Sequence, residues 1–96
     1  MKNPLVSVLI ISYNHEKFIK QAVESVCKQT YPNIELVVVD NDSVDNSAKI
    51  IESLQKNYRF RFVKQENIGA PRTINRFMNQ LHGNTIHPFL VMIIFL

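Results

Sequence analysis

Residues 39–43 read V-D-N-D-S, directly after the apolar run 34–39 and directly before a helix-like stretch. They set two carboxylates, an amide and a hydroxyl at what reads as the end of a buried parallel strand. In open α/β sheets ligands bind at that edge, where strand tips and helix N-termini aim their polar groups. A second polar edge, Ser12-Tyr13-Asn14, follows the first apolar run, 5–11. Two such edges in succession point to a nucleotide site. A uracil ring offers an N–H donor and carbonyl acceptors, a ribose offers hydroxyls, and carboxylates and amides pair with both. Asp40, closest to the strand end, is the leading candidate. Asn41, Asp42 and Ser12 accompany it, and Tyr13 supplies a ring that stacks on a base. Each also has a plainer reading, since polar turns and caps after buried strands are common.

The elements that must position these residues follow from the spacing of apolar side chains. LVSVLII at 5–11 and IELVVV at 34–39 are continuous and rich in β-branched residues, the pattern of strands covered on both faces. Between them Phe18, Ile19, Ala22, Val23, Val26 and Cys27 form a stripe at helical spacing, with Asn14 as the expected cap and Pro32 as the stop. A second helix carries Ala48, Ile50, Ile51 and Leu54 inward, capped by Ser43 or Asp45. Residues 60–63 read as a third strand near an edge. After the turn around Gly69 comes a third helix with Ile74, Phe77, Met78 and Leu81 inward, ending near Gly83. Alternating strands and helices predict a parallel, doubly wound, Rossmann-like α/β sheet.

Composition sets limits. With 96 residues there is material for one small domain. The net charge of +3 is mild, and Arg59, Arg61 and Lys64 read as a solvated strand edge, so no nucleic-acid partner is expected. The single cysteine, Cys27, excludes an internal disulfide framework and reads as a small buried hydrophobe in a reducing compartment. His15, His82 and His87 have no metal-ligand spacing. There is no glycine-rich phosphate loop. No signal peptide is expected, and the apolar run 89–96 is far below the roughly 20 residues of a spanning helix. No integral membrane segment is therefore expected.

Taken together, PLVSVLIISYN, SVCKQTYPNIELVVVDNDSVDNS and QENIGAPRTINR resemble the start of a family 2 glycosyltransferase of the GT-A fold. The resemblance covers residues 4–83 as the N-terminal, nucleotide-sugar-binding half-domain and leaves 84–96 as an apolar tail. It implies a UDP- or dTDP-sugar donor and inverting transfer to a hydroxyl acceptor. It also implies a cytoplasmic location, including the inner face of the membrane, and a role in cell-surface polysaccharide synthesis. Ser12 and Tyr13 match the positions where the family's first strand end touches the nucleotide. Asp40 matches the first acid of the V-D-D-G-S pattern, and Asn41 stands where a second acid often reads uracil. Ile74 stands where many relatives have an arginine before the asparagine matched by Asn75, with Arg72 close enough to compensate.

The departures lie after Gly83. Relatives continue into an Asp-x-Asp or Asp-Asp motif that holds a divalent manganese or magnesium ion, and then into an acceptor half with the catalytic base. Here the chain reads NTIHPFLVMIIFL, without an acid. No catalytic residue and no metal ligand is therefore assigned. The chain is expected to hold only the nucleoside contacts and to be inactive alone. Other readings are a non-catalytic α/β binding module and a gene remnant that folds poorly.

The genetic code offers an origin for the tail. The last base of the Met92 codon with the first two of Ile93 spells an obligatory Asp codon, and a Val91 codon ending in G places another before it. A single-base deletion near Asn84 is the expected cause. The gene's nucleotide sequence tests this: the frame beginning at the third base of these codons should read Asp-Asp here, and its absence there refutes the deletion.

Overall fold

The computed structural model describes residues 5–29, 34–78 and 89–95. In chain order these form β1 (Leu5–Ser12), α1 (Ile19–Cys27), β2 (Ile34–Asn41), α2 (Ser47–Leu54), β3 (Arg61–Gln65), α3 (Ala70–Met78) and β4 (Phe89–Phe95). The strands lie in the order β3-β2-β1-β4, with every pairing parallel. The tail is thus an element of the sheet, with Leu5 opposite Phe89 and Ile11 opposite Phe95. The expected parallel, doubly wound α/β sheet is what the chain forms.

Strand side chains alternate between faces, and the two faces carry separate cores. Val8, Ile10, Leu36 and Val38 pack with Ile19, Val23 and Val26 of α1 and Ile51 and Leu54 of α2. Leu9, Ile11, Val37 and Val39 pack with Phe77 of α3. This explains why the apolar runs of β1 and β2 are continuous: both faces are roofed. β3 shows only partial burial along its length, as an edge strand should. Arg61 leans over the Phe77 ring, 5.9 Å from its centroid. Among the described residues no helix is long and apolar enough to cross a membrane.

Several local expectations change. α1 begins at Ile19, and its N-cap position, Phe18, makes no side-chain cap bond. Asn14 is not its cap: it sits at φ 53°, and its side chain serves the loop after β2. Phe18, expected inward, is 56% exposed. Cys27 is half-buried; burial first, and the Glu24 carboxylate second, push its thiol above the ordinary value. β3 runs on to Gln65, beyond the expected end at Val63, because Gln65 continues the ladder opposite Asn41. Leu81, Gly83, His82 and His87 lie outside the described residues, as do 84–88.

Ile10 is fully buried in the core under α1 and α2. Ile10→Ala should lower unfolding stability by about 2–5 kcal/mol, the usual cost of such a cavity. Urea denaturation, read as a lower midpoint at unchanged slope, checks this.

Candidate functional site

β1 and β2 run in register, so their carboxyl ends arrive side by side with Ser12 opposite Asp40. The loops that leave these tips are tied together. Asp40 is fully buried, and its carboxylate accepts from the Ser43 backbone N–H at 3.0 Å and from the Ser43 hydroxyl. The same hydroxyl oxygen accepts from the Asn14 N–H at 2.8 Å, and Asn14 Oδ1 accepts from the Val44 N–H at 2.8 Å. The next two N–H groups of the first loop also cross over. His15 donates to Ser47 Oγ at 3.2 Å and Glu16 donates to Asp45 Oδ2 at 3.1 Å.

Backbone conformation fits this clasp. Asn14 and Asp42 occupy the left-handed region at φ 53° and 63°, which Asn and Asp tolerate better than other non-glycine residues. Asp45 also accepts from the Ser47 N–H at 2.9 Å and the Ser47 hydroxyl at 2.6 Å, covering the first turn of α2. The N-cap position is Asn46, which makes no side-chain cap bond, so neither expected cap, Ser43 or Asp45, occupies it; Asp45 instead binds Ser47 from the position before. The Ser47 hydroxyl above all, with backbone N–H groups, holds the Asp45 carboxyl below its ordinary range.

The expected site residues separate by what they leave open. Tyr13 is 43% exposed and stands beside the tips. Asp42 is exposed at the crest of the second loop. Asp40 faces inward onto Ser43. Ser12 is buried, and its hydroxyl is the one buried side-chain polar atom without a hydrogen-bond partner among the described residues. Asn41 points to the α3 face, where Gln65 Nε2 donates to its Oδ1 at 2.8 Å. Arg72 and Asn75 are exposed on α3.

Gln65, at the end of β3, and Thr73, within α3, are not expected site residues, since an uncharged side chain at such a place carries no strong signal in sequence. Gln65 Nε2 also donates to Thr73 Oγ1 at 3.0 Å, and Arg76 donates to Gln65 Oε1 at 3.0 Å. A cavity of about 290 Å³ lined by Val26, Cys27, Ile34, Leu36 and Tyr58, among others, lies at the opposite end of β2, away from this edge.

The acids present do not fit a divalent cation. Asp40 is committed to Ser43 and Asp45 to Ser47 and Glu16. Among the described residues no group of three or more His, Cys, Asp or Glu is arranged to hold a metal.

A family model described as glycosyl transferase family 2 matches residues 7–95. Glycosyltransferase GlyA of Streptococcus pneumoniae serotype 4 is 33% identical over 82 residues, covering 84% of this chain and 12% of that protein. Glycosyltransferase GlyG of the same organism is 42% identical over 67 residues, covering 69% of this chain and 22% of that protein. Among solved structures, a mannosyltransferase from Pyrobaculum calidifontis, in complex with GDP-Man and Mn2+, superposes with a TM-score of 0.75 at 23% identity. The match covers 83% of this chain and 25% of that one, and it supports the GT-A fold. The chain thus spans between about an eighth and a quarter of the length of these relatives.

Because the Asp45 carboxyl is depressed in the folded state, its contribution to stability is fully present above the unfolded value of about 3.9. It is lost as pH falls through the lower folded value. Stability of the parent chain measured by urea unfolding should therefore fall more steeply below about pH 4 than that of Asp45→Asn. Parallel curves for the two proteins would contradict this assignment.

Proposed function

This chain belongs to glycosyl transferase family 2, and from that premise we propose that it is the nucleotide-binding part of a sugar transferase. The donor is a UDP- or dTDP-sugar and the acceptor a hydroxyl, with transfer by inversion. The observation that carries this reading is the pair of clasped strand tips, where Tyr13, Asn41 and Asp42 surround one edge of a parallel sheet. Tyr13 stacks on the base. Asn41 hydrogen-bonds its rim. Asp42 accepts from ribose hydroxyls. Ser12 and Asp40 belong to the site from beneath, Asp40 by holding the Ser43 loop at the height the nucleotide needs.

An exposed carboxylate such as Asp42 gains from ribose because hydroxyls donate to it without bringing charge. The diphosphate gains from the net positive charge of the chain. In family 2 enzymes a divalent metal neutralises the departing diphosphate; among the described residues no acids are grouped to supply its ligands. Nucleotide binding without turnover is the activity assigned to these 96 residues. A cytoplasmic location at the inner membrane face and a part in polysaccharide synthesis belong to the same reading.

Calorimetric titration of the full chain with UDP, dTDP and GDP, each with and without manganese, tests it. UDP or dTDP should bind and raise the melting temperature by mass action, manganese should change neither, and no sugar should be transferred from the nucleotide sugar. Failure of every nucleoside diphosphate to bind would defeat the assignment.

A further inference from the structure

The hydrogen bonds running from α3 to the tip of β2 have a direction that their two ends impose. Arg76 donates to Gln65 Oε1 at 3.0 Å, and a guanidinium has no acceptor. Gln65 must therefore turn its oxygen to Arg76 and its amide nitrogen to Asn41 Oδ1, at 2.8 Å, and Thr73 Oγ1, at 3.0 Å. At the far end Thr73 Oγ1 donates to the Gly69 carbonyl at 2.9 Å, and a carbonyl only accepts. Neither amide can be reversed without setting donor against donor or acceptor against acceptor.

Asn41 consequently has its oxygen occupied and its nitrogen left over. No described residue accepts from that nitrogen. It is also absent from the buried polar atoms lacking a partner, where Ser12 Oγ stands alone among the described residues. Asn41 is 3% exposed, so a group that meets this nitrogen must do so closely and with its water removed. The Asn41 partner Gln65 and the neighbouring Thr73 are uncharged, and Arg76 donates to Gln65. A doubly charged phosphate is poorly matched to one neutral donor, whereas a neutral carbonyl suits it.

We propose that Gln65 and Arg76 are positioning residues that set base specificity: they preset Asn41 as a hydrogen-bond donor, so the site accepts a base bearing a keto oxygen and refuses one bearing an amino group there. This rests on the nucleotide reading above. A pyrimidine meets Asn41 by the edge farthest from its sugar, which is C4. Uracil and thymine carry a carbonyl oxygen at C4 and cytosine carries an amino group. The cytosine amino group would meet the Asn41 amino group, donor against donor, and turning Asn41 over would break its bond to Gln65.

Titration of the full chain with UDP and CDP reads this out, since the two ligands share ribose, diphosphate and the C2 carbonyl. UDP should bind about tenfold or more tightly than CDP, the usual penalty for an unmatched buried polar group. Gln65→Glu replaces the donor by a second acceptor, keeps the pairing with Arg76, takes the Thr73 hydroxyl proton from the Gly69 carbonyl, draws the Asn41 nitrogen inward and turns its oxygen out. The preference should then invert toward CDP. Arg76→Lys, which retains a donor at that end, should keep the parental ratio. Arg76→Met frees Gln65 to reverse and should bring the ratio toward unity, which serves if Gln65→Glu does not fold.

Nucleotide binding with equal or tighter affinity for CDP, or a ratio unmoved by Gln65→Glu and Arg76→Met, overturns the specificity role while leaving nucleotide binding intact. Absence of all binding overturns both. A readout without ligand separates the two: in nitrogen-edited NMR spectra the Gln65 side-chain amide protons should exchange slowly with water and those of Asn41 rapidly. In Gln65→Glu the Asn41 protons should become protected. Protected Asn41 protons in the parent chain overturn the preset orientation directly.

Discussion

The clasp between the two loops is the constraint on which the rest of the candidate site depends. Parallel pairing of β1 and β2 brings Ser12 and Asp40 together, but it leaves the residues after them to wander. Asn14, His15 and Glu16 donate their backbone N–H groups in turn to Ser43, Ser47 and Asp45, and Asn14 returns a side-chain bond to the N–H of Val44. Backbone donors that would otherwise need water are satisfied across almost thirty residues of sequence. The buried carboxylate of Asp40 anchors this arrangement through Ser43. Removing a member would leave its partners unsatisfied, and such losses cost more than the bond itself contributes.

The two faces of the sheet divide the labour. The face covered by α1 and α2 carries Ser12 and Asp40 at its tip, in line with Ile10 and Val38. The face covered by α3 carries Asn41, in line with Val37 and Val39. One-residue alternation therefore gives adjacent residues different tasks. Asp40 braces a loop, while Asn41 is held from the other side by Gln65, Thr73 and Arg76. Both helical layers press on apolar runs that could not tolerate a register slip, because slipping by one would exchange the faces. Core packing and the orientation of the polar tips are thus the same fact seen at different points along the strands.

Legibility in the sequence was uneven for identifiable reasons. β1 and β2 could be read from unbroken β-branched runs, and α1 and α2 from apolar side chains at helical spacing. The tail reads in sequence only as an apolar run, and its place beside β1 is not deducible, since parallel strands pair through long connections that leave no local mark. Asn14 was misread as a helix cap because capping preference is a local rule, and a distant N–H, that of Val44, competed successfully for its oxygen. Phe18 looked like part of the inward stripe, but the helix begins one residue later and turns that ring outward. Gln65 opens the QENIGAPRTINR stretch but carries no charge, and only the register opposite Asn41 gives it a partner.

The order of apolar and polar residues by itself determined that this chain would build a parallel α/β sheet and would carry polar groups at two neighbouring strand ends. That much follows from periodicity, because the hydrophobic effect acts on each segment according to its own pattern. Tertiary structure alone decided which polar atoms face inward and which remain available. Asp40 and Asn41 are adjacent in sequence and similar in shape, yet one accepts from Ser43 and the other from Gln65 on the opposite face. Hydrogen bonds are directional and saturable, so the allocation of each donor and acceptor depends on partners that only folding brings within reach.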